Sequence, residues 1–156
     1  METNVAALAE SRMTARLVAS LYTEAMLLAD ETRSYFDEAG REDRDLLPPL
    51  QRVLFSCESL KVTTRLMHVV AWLLTRRAVE SGEMSLAQAR APGRKLGPAA
   101  ESDPGSVEVL PPVAQDLIEA SCDLYARVAR LEQEIDQPSP KASPARSLLS
   151  RLENAF

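Results

Sequence analysis

The breakers of regular structure in this 156-residue chain are not scattered. All five glycines (Gly40, Gly82, Gly93, Gly97, Gly105) and all ten prolines fall within 40–49, 82–112 and 138–144. The long stretches between these zones contain neither residue, and a stretch free of both is the strongest local signal for helix. The pattern predicts an all-α fold, an antiparallel three-helix bundle with a disordered C-terminal tail. The expected division is a bundle over 1–137, with helices at about 5–39, 49–81 and 111–137 and a connecting loop at 91–110, followed by a flexible tail over 138–156.

Spacing within each stretch supports helices. In the first, Met13, Leu17, Leu21, Leu28 and Tyr35 share one face, and Gly40 is placed to end the helix in a left-handed cap. In the second, Pro49 suits the first turn, where its missing N–H costs nothing, and Gly82 stands at the far end. Leu50, Val53, Leu54, Cys57, Leu60, Thr64, Met67, Ala71, Leu74 and Ala78 form one apolar stripe along it. Ser85 can cap a short turn, "SLAQAR". In the third, Val113, Leu117, Ser121, Leu124, Val128, Leu131 and Ile135 lie close to a heptad seam. Aromatic residues make up only 4% of the chain, so the core must be aliphatic.

Within "TTRLMHVVAWLLTRR", Leu66 to Leu74 is apolar apart from one histidine. Nine helical residues span about 13 Å against a hydrocarbon layer of about 30 Å, so this is not a membrane anchor. The apolar residues nearly encircle the helix there, and two neighbouring helices cannot cover them all. One side is expected to be core and the other an interface. The candidate interface residues are Arg65, Leu66, Val69, Val70, Trp72, Leu73, Arg76 and Arg77, the arginines forming a rim beside the apolar belt.

No catalytic, cofactor-binding or metal-binding residues are assigned. His68 is the only histidine, which excludes a paired-histidine zinc site. Cys57 lies eleven residues before it, about 16 Å along one helix, so the two cannot act together. Cys57 and Cys122 read as reduced, buried cysteines of a cytosolic protein. There is no phosphate loop and no dinucleotide fingerprint. The carboxylates around 31–45 read as a charged connector, or alternatively as an acidic docking patch. The N-terminus lacks a basic region followed by an apolar block, so no targeting segment is expected. The net charge of −5 argues against broad nucleic-acid binding. In the tail, Leu148, Leu149, Leu152 and Phe156 form a short amphipathic stretch, a candidate segment to be bound by another protein.

Three blocks, "EAMLLADETRSYFDEAGREDRDLL", "ESLKVTTRLMHVVAWLLTRRAVESGEMS" and "LPPVAQDLIEASCDLYARVARLEQEI", resemble RcdA, the regulator of CtrA degradation of alphaproteobacteria. The middle block carries the most specific matches: Thr63 to Met67, Trp72 to Leu74, Arg77-Ala78 and Gly82 to Met84. The resemblance covers roughly 22–90 and 110–135. It implies a non-enzymatic, cytoplasmic adaptor, homodimeric, acting without cofactors. Its implied partners are the ClpX unfoldase of the ClpXP protease, primed by a single-domain response regulator, and protein cargo such as CtrA; from the acidic charge and the short apolar run, neither nucleic acid nor membrane is expected as a partner. The competing reading is a helical transcription regulator or nucleoid-associated DNA-binding protein. It would need a basic recognition helix, which the acidic balance disfavours.

Overall fold

The structure is a computed structural model that describes residues 2–136 and 151–155. Its secondary structure is helical: α1 (Glu2–Asp37), α2 (Ala39–Asp45), α3 (Pro49–Glu80), α4 (Leu86–Ala89), a 3-10 turn (Pro92–Arg94), α5 (Pro104–Val107) and α6 (Pro112–Asp136). The fold is all-α, with α1, α3 and α6 packed on one another as the long members.

Helix ends follow local chemistry. Pro49 occupies the first turn of α3. At the other end Gly82 adopts φ 79°. The Glu83 N–H reaches Ala78 O at 2.9 Å and the Gly82 N–H reaches Val79 O at 3.2 Å. These paired bonds make the glycine cap that closes a helix through a left-handed residue. Ser85 caps α4 in a reciprocal box with Gln88.

Gly40 behaves differently from expectation. It does not cap α1; it lies buried in the first turn of α2, and its φ is not positive. The chain breaks at Glu38 instead (φ −120°, ψ −96°). A Cβ on Gly40 would come within 2.6 Å of the Tyr35 carbonyl oxygen. Glycine is needed here for close backbone approach rather than for handedness.

The core is aliphatic along its length. Val18, Leu21 and Ala25 of α1 meet Val62, Val69 and Leu73 of α3, and Leu117, Leu124 and Val128 of α6. Aromatic rings close one end, where Tyr35, Phe36 and Phe55 pack with centroids 5.1–6.3 Å apart. The first residue of α1 to be buried is Val18, so Met13 and Leu17, expected on the core face, stay exposed. The inward face of α1 is the stripe Val18, Leu21, Ala25, Thr32 and Tyr35.

The connection expected to be irregular is tied down. Residues 95–103 run without helix beside α3 and α6, and side chains hold their backbone. His68 Nδ1 donates to Leu96 O at 3.0 Å, Arg65 to Ala100 O at 2.9 Å, and Lys61 to Glu101 O at 3.0 Å. Tyr125 donates to Gly97 O, and Glu132 accepts the Leu96 N–H at 2.9 Å.

Candidate functional site

α3 has two apolar faces, and the structure assigns them the reverse of the sequence expectation. Facing the other helices are Phe55, Val62, Leu66, Val69, Trp72 and Leu73. Facing solvent is most of the periodic stripe: Leu50 (73% exposed), Val53 (58%), Leu60 (69%), Met67 (66%) and Leu74 (46%), with Cys57, Thr64 and Ala71 exposed between them, while Leu54 and Ala78 are half-buried. The positions 50, 53, 57, 60, 64, 67, 71 and 74 alternate steps of three and four without interruption. That is a heptad seam, the period at which helices wind around one another with left-handed supercoil. Not one of the eight residues is charged. On an ordinary surface helix the outward face carries the charges.

The candidate interface residues therefore divide. Leu66, Val69, Trp72 and Leu73 are at most 5% exposed and belong to the protomer's own core. Arg65, 2% exposed, is no rim arginine; it donates to Ser121 Oγ (3.3 Å), Ala100 O and Ser102 Oγ (2.6 Å). Ser102 in turn donates to Glu58 Oε2, and Lys61 pairs with the same carboxylate at 3.1 Å. A charged residue beside an apolar belt in the sequence can point either way, and here partners 35 to 56 positions away draw Arg65 inward. Val70 is half-buried. Arg76 lies over the Trp72 ring at 5.6 Å and Arg77 over Tyr22 at 4.6 Å. Burial lowers the pKa of Arg76, Arg90 lowers it further, and Asp136, Glu80 and Glu132 oppose the shift.

Cys57 is exposed, contrary to expectation, because it sits on the seam. Cys122 is partly buried against the core. His68 is half-buried and engaged with Leu96 O. Among the described residues no group of three or more His, Cys, Asp or Glu side chains is placed to hold a metal, and no helix is long and apolar enough to cross a membrane. Of the tail candidates, Leu152 is 54% exposed; Leu148, Leu149 and Phe156 lie outside the described residues.

A groove of about 550 Å³ runs beside the seam between α1 and α3. Met26 and Phe36 from α1 and Leu66, Met67, Val70 and Leu74 from α3 line it. Thr32, 4% exposed, lies on its wall, and its Oγ1 has no hydrogen-bond partner among the described residues. Groove and seam share Met67, Ala71 and Leu74, so together they form one continuous apolar surface. An apolar stripe at helical spacing pointed to this surface in the sequence. What the sequence could not supply was which of two stripes faces out.

The fold and this surface define a class: a helical bundle with an uncharged, solvent-exposed helix face and an adjoining apolar groove. Its family follows from comparison with known proteins. The family model described as a protein of unknown function (DUF1465) matches residues 9–156, and the chain belongs to that family. The crystal structure of RcdA from Caulobacter crescentus CB15 matches with TM-score 0.63 at 36% sequence identity. The match covers 76% of this chain and 89% of that one, and the family is thus RcdA-like. Among curated proteins, none matches this chain.

Proposed function

We propose that this chain is a non-enzymatic adaptor that promotes regulated ClpXP proteolysis of cell-cycle regulators such as CtrA. In this reading it joins a ClpX unfoldase primed by a single-domain response regulator, holds cargo nearby, and works in the cytoplasm as a homodimer. The observation that carries the reading is the uncharged heptad seam of α3, open to solvent along 50–74. Exposing that many apolar side chains in one row is unfavourable unless another helix covers them for part of the protein's life. The likeness to RcdA supports the choice of protease and cargo.

An adaptor of this kind changes rate by effective concentration: cargo tethered beside the unfoldase engages it as if present at millimolar level. No bond chemistry is required of the adaptor itself. The DNA-binding alternative gains no specific support, since the outward face of α3 between 50 and 74 carries no basic side chain on its seam.

The direct test is a purified degradation assay. ClpXP, the response regulator and CtrA are combined with and without this chain. A several-fold faster loss of CtrA that requires the chain is the expected result. Equal rates in both arms, for CtrA and for other cell-cycle regulators, would overturn the proposal.

A further inference from the structure

We propose that the hollow between α3 and residues 93–97 binds an acidic peptide segment that carries an apolar side chain. The hollow measures about 370 Å³, within the ~300–1,000 Å³ usual for ligand pockets. Its floor is apolar: Met67, Ala71, Trp72 and Leu96. Its charged lining is wholly basic, Arg94 and Lys95, in a chain whose acidic residues outnumber its basic ones by 23 to 18. Neither cation forms an ion pair among the described residues. The one side-chain hydrogen bond of Arg94 among the described residues is to a thioether, with Nη1 3.6 Å from Met84 Sδ.

The wall is also fixed in place. His68 holds Leu96 O and Glu132 holds the Leu96 N–H, so the basic residues at 94 and 95 sit beside a pinned point of the backbone. Gly93 and Gly97 flank them without side chains that would fill the hollow. A Cβ at Gly93 would meet no atom within 4 Å, which leaves the mouth open. An apolar side chain entering over Trp72 would bring flanking carboxylates to Arg94 and Lys95. Charge complementarity at a rim with an apolar centre is the usual grammar of peptide docking. The site shares Met67 and Ala71 of α3 with the seam and adds Trp72, Leu96 and the basic residues at 94 and 95, so it flanks the seam. It deepens the adaptor reading by giving the chemistry of one partner segment.

Trp72 is the only tryptophan and lies in the floor, so its emission reports occupancy. The full chain is titrated with the blocked peptide acetyl-Glu-Asp-Leu-Asp-Glu-amide, with the basic counterpart Lys-Arg-Leu-Lys-Arg, and with oligothymidine. Saturable binding of the acidic peptide is expected. It should weaken at least about tenfold between low and high salt, because exposed charges are screened beyond a few ångströms at molar ionic strength. The double variant R94E/K95E, altered at two exposed positions, should lose binding while keeping its helical circular dichroism. Silence in both emission and calorimetry up to about 1 mM peptide, or equal binding by the double variant, would overturn the proposal. Tighter, competing binding of oligothymidine would overturn it in favour of a phosphate-backbone site. No protease enters the experiment, so its failure is distinguishable from failure of the adaptor reading.

Discussion

Glu58 and Arg65 are each 2% exposed, and a single hydroxyl, Ser102 Oγ, links them. Buried charges of this kind stabilise only as a set: losing one partner strands the other at a cost of about 3–5 kcal/mol, whereas replacing both with neutral residues of similar size is much milder. Arg65→Ala should therefore lower denaturant-derived stability by about that amount. The double variant Glu58→Gln, Arg65→Met should recover a good part of it. Simple addition of the two single losses would show that the residues act independently. Gly40→Ala tests a different constraint. With its Cβ 2.6 Å from a backbone oxygen, the helix junction must move. A loss of about 1–3 kcal/mol is expected, and an unchanged unfolding midpoint would show that the junction gives way freely. Tyr35 supplies a pH signature. Its phenol donates to Asp43 Oδ2 at 2.8 Å, and burial first, then that bond and the carboxylate charge, raise its pKa. The folded state thus keeps a proton that the unfolded state releases near pH ~10. Stability should fall as pH rises past that point, less steeply in Tyr35→Phe. None of these three partnerships was legible in the sequence. Ser102 is 37 positions from Arg65, and Gly40 is named by its composition but not by its reason.

At the scale of helices, much was legible, since breaker zones and periodicity depend on local chemistry alone. α1 and α3 end, and α3 and α6 begin, beside those zones, and Gly82 closes α3 as its position implied. The sidedness of α3 was not. A helix with two apolar stripes gives the same periodic signal for either, and the choice is made by which stripe interlocks with α1 and α6. The consequence is practical: Asp at Leu73, fully enclosed, would unfold the protomer rather than separate two of them, so the informative positions are Leu60 and Met67. Leu60→Asp or Met67→Glu should leave helicity and melting intact and shift the mass by light scattering from dimer to monomer. An unshifted mass in both would remove the seam from the pairing surface. The seam also suggests a register. In antiparallel pairing centred near position 62, Leu60 faces Thr64 of the second copy, Cys57 faces Met67, Val53 faces Ala71 and Leu50 faces Leu74. Small residues then oppose large ones in three of the four layers, the complementarity that close packing favours. Met67→Cys should give a covalent dimer on mild oxidation through the native Cys57, abolished by Cys57→Ser. A disulfide dimer of the unmodified chain through Cys57 would instead indicate parallel, in-register helices.

For the whole molecule, the question is how folding is separated from the proposed delivery of cargo. Among the described residues the buried core runs from Val18 to Leu131, with Ile135 packed against its edge. The described end of the tail, 151–155, is exposed and adds nothing to that core. Stability in a bundle of this kind comes from burial of apolar area at about 25 cal/mol per Å². Removing 138–156 should therefore leave the melting temperature nearly unchanged. Delivery should respond differently. Leu152 is exposed, and with Leu148, Leu149 and Phe156 it makes up the proposed contact for cargo or protease. In the degradation assay the truncated chain is expected to keep its dimeric mass and to lose acceleration for at least some cargo, while the seam variant Leu60→Asp loses dimeric mass first. A truncation that lowers the melting temperature by several degrees would show that the tail packs on the bundle. One that leaves every degradation rate unchanged would assign delivery to the bundle surface alone, with the α1–α3 groove and the hollow beside Trp72 as the remaining docking points.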